Sequence, residues 1–336
     1  MKAIILRDLG GPELLRMEEV ADPAPGPDEA VVRLEAAALN HRDVWIRKGL
    51  YAGIKLPIIL GSDGTGHVAA VGSAADPSLI GQAVVINPSL DWGPDDRVQG
   101  PSFRILGLPD NGTYAQLVKV PAANIHPRPA GLSAEKAAAI PLAGLTAFRA
   151  VVTRAQVRSG ETVLVTGIGG GVSTFVLQLA KAKGARVLVT SGSDAKLARA
   201  RELGADGGVN YHADDWAKQV VNLTGGEGPD VVIDSVGGAT FVAATELVRP
   251  GGRIVTFGAT TGPAEKVEVR RIFWKQISVL GTTMGTPREF HDMLALYSEL
   301  GLEPVVDQVF PLAKAPAAHQ RMEEAGQFGK IILRIE

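Results

Sequence analysis

Gly167-Ile168-Gly169-Gly170-Gly171-Val172-Ser173 is the segment of this chain whose residue types and spacing point most directly to chemistry. It follows a β-type apolar run, Thr162 to Thr166, and precedes an amphipathic stretch, Thr174 to Lys183, so it predicts a strand, a tight turn and a helix. Glycines in such a turn let the backbone approach a pyrophosphate, whose charge is met by unpaired N–H groups and the positive end of the helix. Gly169, Gly170, Gly171 and Val172 are therefore candidate cofactor-binding positions. The pattern is imperfect. In the usual register the third glycine, which permits close helix–strand packing, falls at Ser173, and Gly167 and Gly169 begin one position early.

The end of the second strand should discriminate between two dinucleotides, because an acid about 20 residues beyond the turn would bind the ribose 2′-hydroxyl of NAD. Thr190-Ser191-Gly192-Ser193-Asp194-Ala195-Lys196 stands there, and its single acid falls in the first turn of the next helix, where it offsets the dipole. Ser191, Ser193 and Lys196 could instead meet a 2′-phosphate with charge-assisted hydrogen bonds, and the reading is NADP. Arg199 reads as a solvated helix residue.

Composition narrows the alternatives. The 336 residues contain 34 Lys and Arg against 36 Asp and Glu, a net charge of −2, which supplies no basic field for a nucleic-acid backbone. There is no cysteine, so no disulfide, thiolate metal ligand or cysteine nucleophile exists. The longest uncharged stretch, Thr162 to Ala180, carries four glycines and is not a membrane span. The apolar run near the N-terminus is closed by Arg7, too soon for an export signal, and the expectation is a cytoplasmic protein with no membrane partner.

Two textures position these residues. From Met1 to about Val120, short β-rich runs (Ala3 to Leu6, Glu29 to Ala36, His67 to Val71, Ala83 to Ile86, Tyr114 to Val120) alternate with Gly and Pro, predicting an irregular β domain. A lobe from Asn87 to Gly112, with four prolines and the acids Asp91, Asp95 and Asp96, reads as a solvated loop. An Ala-rich helix containing Pro141 follows from Ser133. Strand-like runs then recur at Thr162 to Thr166, Arg186 to Thr190, Gly208 to Asn210, Asp230 to Ser235, Arg253 to Phe257 and Ile277 to Thr282, separated mostly by helices. One helix, Asp194 to Leu203, is punctuated by Ser193 and Gly204. Six strands joined by right-handed crossovers predict an α/β fold with a doubly wound six-stranded parallel sheet. From about Thr286 a helix leads to Lys330 to Ile335, a strand that could return to the first domain. The expected division is 1–122, completed by 286–336, and 123–285.

In this order and spacing, Ala38-Leu39-Asn40-His41-Arg42-Asp43, Arg47-Lys48-Gly49-Leu50-Tyr51, Leu60-Gly61-Ser62-Asp63-Gly64, Pro141-Leu142-Ala143-Gly144-Leu145-Thr146-Ala147, Gly170-Gly171-Val172 and Asp234-Ser235-Val236-Gly237 resemble the medium-chain dehydrogenase/reductase superfamily, in particular its quinone-oxidoreductase-type members. The resemblance implies a GroES-like β domain joined to a Rossmann domain, with a dimer or tetramer as the common assembly. Zinc-dependent members hold a catalytic zinc with Cys and His and a structural zinc with four Cys in the lobe. This chain has Asn40 where the first catalytic Cys would stand and Ser62 and Asp63 in place of a His-Glu pair, so no zinc is expected. A set drawn from His41, Asp43, Asp63 and His67 is the alternative metal site, weighed against His67 as a residue of a core strand.

The resemblance also assigns roles. It places Asn40 facing the nicotinamide, Tyr51 in the substrate pocket and Thr146 against the cofactor, the three candidate catalytic residues. His41 falls where a pyrophosphate contact is expected, and Tyr211, like Lys196, near the adenosine phosphate. Ser235, Val236, Gly258, Thr282 and Thr283 are cofactor-binding candidates, the last three at the carboxyl ends of the final two strands. The function implied is an NADPH-dependent, zinc-independent reductase of quinones or α,β-unsaturated carbonyls, acting on a small molecule as a homodimer or homotetramer. The alternatives are a carbonyl reductase or alcohol dehydrogenase of the same superfamily, or a weakly catalytic NADPH-binding protein.

Overall fold

The computed structural model describes all residues, 1–336. The chain divides into two compact units, Met1–Leu145 with Gly285–Glu336, and Thr146–Met284. The sequence texture changes near 122, but the break in contacts comes after Leu145. The reason is local pairing: Ile125–Pro127 joins the first unit's sheet antiparallel to Ala83–Ile86, which draws the following helices with it.

In the first unit the long strand Glu29–Ala38 is the organising element. Asp63–Val71 runs antiparallel along one edge, while Leu117–Pro121 and the C-terminal strand Lys330–Arg334 share the other, all antiparallel to it. Glycine is required at 66, where a Cβ would lie 1.9 Å from the Arg33 carbonyl oxygen across the strand pair. Ile4, Leu6, Val32, Leu34, Leu60, Val84, Ile331 and Leu333 fill the interior. His67 belongs to Asp63–Val71 but not to the core. Its side chain is 48% exposed and faces Glu35 at 3.4 Å, because strand alternation turns this position outward.

The lobe keeps its acids in solvent, with Asp91, Asp95 and Asp96 exposed, but it is anchored at its ends. Ser89–Leu90 and Arg104–Ile105 form a short hairpin, Trp92 is buried edge-on against Phe103 at 5.3 Å, and Arg104 pairs with both Asp91 and Asp110. Asp95 is held down at about 2 by Arg97 beside it. An aromatic pair and arginine–carboxylate contacts thus organise the segment.

The helix expected around Pro141 is two helices, Ala134–Ala138 and Pro141–Phe148. A proline excludes helical geometry from the residue before it but suits a first helical position, so it ends one helix and starts the next.

The second unit is the doubly wound sheet. Its six parallel strands lie in the order Gly207–Asn210, Arg186–Ser191, Thr162–Val165, Val231–Asp234, Arg253–Thr256, Ser278–Gly281. The first and fourth strands of this series are neighbours, so the crossovers diverge between them and leave the carboxyl ends open there. Leu164, Leu188, Val232 and Ile254 pack against Val220, Ala244 and Leu247 from the helices. No helix in the chain is long and apolar enough to cross a membrane.

Candidate active site

Two polar constellations stand out, one in each unit. In the second unit, buried Asp234 ties the ends of the first and fourth strands together. It accepts the Thr166 hydroxyl at 2.6 Å and the Gly237 and Val236 N–H groups at 3.0 and 3.3 Å, while burial pushes its carboxyl upward. The turn that follows the first strand is shaped by Gly167 at φ +63° and Gly169 at φ +130°. Ile168 N donates to Thr190 O at 2.7 Å, which pins the turn to the second strand.

Ser173 explains its own departure from the glycine pattern. Its hydroxyl accepts from Gly169 N at 3.2 Å and donates to Gly170 O at 2.9 Å, bracing the turn from within. Gly170 caps the helix Gly171–Ala182 without any side-chain acceptor, and the N–H groups of Gly171 and Val172 have no intrahelical partner by geometry. A dinucleotide pyrophosphate fits this cradle. A side chain at Gly169 would be strained at φ +130°, and its Cβ would lie 2.9 Å from Lys196 Cδ. That distance also places the Lys196 stem across the turn.

The adenosine-side candidates converge. Ser191 Oγ accepts from Ser193 N at 3.2 Å, and Ser193 Oγ caps Lys196 N at 3.4 Å, which leaves both hydroxyl hydrogens for an anion. Asp194 is turned away, accepting from Asn210 Nδ2 at 2.9 Å. Tyr211 stacks edge-on against His212 at 4.8 Å, and both crowd Gly192, where a Cβ would meet the Tyr211 hydroxyl at 2.8 Å and His212 Nε2 at 2.6 Å. Sequence reasoning missed His212, whose neighbour Tyr211 was the only cue.

At the carboxyl edge of the sheet, Val236 packs on Gly167, and a Cβ at Gly258 would lie 2.9 Å from Ser235 O. Thr282 carries a sealed Oγ1 with no hydrogen-bond partner, and Thr283 is exposed. Thr146 is buried, and no hydrogen bond marks its role.

In the first unit, Asn40 precedes the helix His41–Arg47, and the Asp43 carboxylate accepts from Asn40 N and the Tyr114 hydroxyl, both at 2.9 Å. Burial pushes the Asp43 carboxyl up and holds the Tyr114 phenol well above its ordinary value. The Asn40 amide is not free to face a ligand at both ends. Nδ2 donates to Asp63 Oδ2 at 3.0 Å, and Oδ1 accepts from Lys330 Nζ at 2.7 Å. Lys330 also donates to Asp63 Oδ2 at 2.8 Å, and Asp63 Oδ1 takes the Leu142 N–H at 2.8 Å. Asp63 and Lys330 are 0% and 3% exposed.

These residues do not fit a zinc ion. The sequence resemblance locates the metal at Asn40 and Ser62–Asp63, yet the Lys330 ammonium sits between the amide and the carboxylate, and a second cation there would be repelled. Ser62 spends its hydrogen on Leu106 O at 2.7 Å. No group of three or more His, Asp or Glu side chains in the chain could hold a metal ion. Lys330 was invisible to sequence reasoning, because its partner Asn40 lies 290 residues away. Of the remaining candidates, His41 is half-buried with its ring tilted against Trp45 at 6.2 Å, and Tyr51 lies beneath the Arg42 guanidinium at 5.3 Å.

Comparison with known proteins identifies relatives of both units. Residues 26–130 match the alcohol dehydrogenase GroES-like domain and residues 171–299 the zinc-binding dehydrogenase family. The zinc-type alcohol dehydrogenase-like protein YogA of Leptosphaeria maculans is 37% identical, spanning 96% of this chain and 94% of that protein. A quinone oxidoreductase of Pseudomonas aeruginosa is 32% identical over 99% of each. A crystal structure of an NAD-dependent alcohol dehydrogenase superposes with a TM-score of 0.96 at 45% identity, covering 100% of both chains.

Proposed function

The chain belongs to the medium-chain dehydrogenase/reductase superfamily of oxidoreductases, and from that premise we propose that it transfers hydride from NADPH, without zinc, to a quinone or an α,β-unsaturated carbonyl. The observation that carries this reading is the buried Lys330 ammonium between Asn40 and Asp63. A site held by fixed hydrogen-bond donors stabilises less developing charge than a divalent Lewis acid does. It therefore suits acceptors that disperse the incoming electrons themselves. The name of the Pseudomonas aeruginosa relative supports the quinone branch.

NADPH when bound supplies a hydride from its dihydronicotinamide ring. The chain's own residues orient it. The Gly171 and Val172 N–H groups and the helix behind them take the pyrophosphate. Lys196, Ser191 and Ser193 take the 2′-phosphate beside Tyr211, and Ser235, Val236, Gly258, Thr282 and Thr283 border the nicotinamide with Thr146. Tyr51 bounds the acceptor and relays a proton to it, and catalysis is chiefly proximity and orientation.

A second reading, oxidation of an alcohol with NAD, is favoured by the name of the structural neighbour at 45% identity. One assay separates them: cofactor absorbance is followed with excess chelator present, offering NADPH or NADH with an ortho-quinone and an enone, and NAD with aliphatic alcohols. Turnover of NADPH with either acceptor is the expected result. Turnover confined to NAD and alcohols would replace this reading with the second.

We also propose a homodimer, or a tetramer built from it, through the edge strand Ser278–Gly281. This strand is unpaired on one side, and beside it Trp274 is 84% exposed, with Phe273 and Val269 also exposed. Trp274→Glu should shift the sedimenting species toward monomer, and an unchanged mass would remove this edge from the assembly.

A further inference from the structure

Arg42, the second residue of the helix His41–Arg47, is 7% exposed and yet pairs with no carboxylate. Its Nη1 donates to Ser62 Oγ at 2.7 Å and to Leu106 O at 2.9 Å. Nε is sealed from solvent with no partner, and Nη2 has no protein partner either. One face of the guanidinium lies over the Tyr51 ring. The neighbouring acid, Asp43, has its Oδ2 committed to Asn40 N and Tyr114.

Such a burial is costly. Buried Asp43 attracts Arg42 electrostatically but accepts no hydrogen bond from it, so the guanidinium is taken from water without a directly paired carboxylate, a cost that an apolar side chain over Tyr51 would not carry. The anchoring is also one-sided. Ser62 donates its own hydrogen to Leu106 O, so its remaining lone pairs face Arg42, and two oxygens fix the Nη1 edge while Nη2 makes no hydrogen bond within the protein. A guanidinium held this way is a preorganised donor aimed at an oxygen that the protein does not provide.

We propose that Arg42 binds the acceptor's carbonyl oxygen through Nη2 and stabilises the negative charge that reaches this oxygen during reduction. The inference rests on the reductase reading above and deepens it by assigning the electrophile. Hydride adds to the β-carbon of the acceptor, the alkene pair shifts, and the carbonyl π pair moves onto oxygen opposite Arg42. A proton relayed from solvent through Tyr51 then adds at the α-carbon, completing a two-electron reduction whose electrons come from the dihydronicotinamide. For a quinone the same contact holds the oxygen that becomes a phenolate. The preferred substrate is therefore a planar conjugated carbonyl with an unhindered oxygen, stacked near Tyr51.

The test compares wild type with Arg42→Met and Arg42→Lys. Arg42→Met should lower kcat for an enone about a hundredfold, the usual scale for one oxyanion donor, while NADPH affinity by fluorescence titration stays within about twofold. Millimolar guanidinium should restore part of the rate, which a merely structural arginine would not allow. If Arg42→Met does not fold, Arg42→Lys keeps the charge but cannot span Ser62, Leu106 and the acceptor together, and it should lose about tenfold in kcat with partial rescue. Wild-type kcat in either variant, or a loss of rate matched by loss of NADPH affinity and insensitive to guanidinium, overturns the assignment. A second arm is independent of turnover: the dimedone anion, a stable enolate, is titrated against each protein with the oxidised cofactor present. Binding weakened about tenfold or more in Arg42→Met supports the site even if wild type reduces no acceptor, in which case only the reductase reading falls. Equal binding overturns the oxygen site itself.

Discussion

Replacing Lys330 with Met removes the one cation facing two buried acceptors. Asp63, fully buried, would keep the Asn40 Nδ2 and Leu142 N–H bonds but lose its ammonium, and Asn40 Oδ1 would lose its donor. An uncompensated buried carboxylate costs about 3–5 kcal/mol and an orphaned amide oxygen about 1–3 kcal/mol, with protonation of Asp63 relieving part, so about 4 kcal/mol is the net expectation at neutral pH. In Asp63→Asn combined with Lys330→Met no charge is left unpaired, and the cost should fall to about 2 kcal/mol, a coupling of several kcal/mol between the two sites. Urea unfolding followed by fluorescence reads this, because Trp45 and Trp92 lie in the first unit and can be separated from Trp216 and Trp274 by substitution. Single-variant losses below about 1 kcal/mol, adding without coupling in the double variant, would refute the reasoning that Lys330 compensates the buried Asp63 carboxylate.

Lys196→Ala should weaken NADPH binding by about tenfold or more while leaving NADH nearly unchanged, which is what the proposed contact to the 2′-phosphate requires; equal losses for both cofactors would sink that assignment. Tyr51→Phe should lower turnover or raise KM for the acceptor with NADPH affinity intact, and a collapse of NADPH binding would move Tyr51 into the cofactor site. His319, buried with neither ring nitrogen hydrogen-bonded, is pushed down to about 3 by desolvation and by nearby Arg47. The fold therefore holds it neutral, and its contribution is intact above the unfolded value of about 6.5 and lost as pH falls below it, by about 2 kcal/mol at pH 5. Urea midpoints at pH 7 and 5 should differ less in His319→Gln than in wild type; an identical pH slope would show that other groups carry it.

Local residues announced what local physics decides. The six strands of the second unit, Ser193 as a helix cap and the glycine turn all depend on neighbours a few positions away, and the structure places them where periodicity and punctuation put them. The first unit was less legible. His67 lies in an apolar run whose alternation happens to turn it outward, and the segment after 122 changes texture before it leaves the sheet. The site in that unit was least legible of all. Asn40 and Asp63 stood out by their positions in motifs, but what they do is set by Lys330, and Arg42 takes its meaning from Ser62 and Leu106. No pattern of spacing carries such pairings. They come from the tertiary fold alone.

The return of Lys330–Arg334 to the side of Glu29–Ala38 also bears on the order of assembly. During synthesis the six strands of the Thr146–Met284 sheet emerge as one uninterrupted stretch, whereas the other unit lacks the strand that joins Glu29–Ala38 to Val306–Pro311, and its buried cation, until Lys330–Arg334 arrives. Until then Asp63 and Asn40 have no ammonium to close around. Completion of that unit thus follows its insert, and a premature stop between Gly285 and Lys330 leaves a whole six-stranded sheet attached to an unfinished unit.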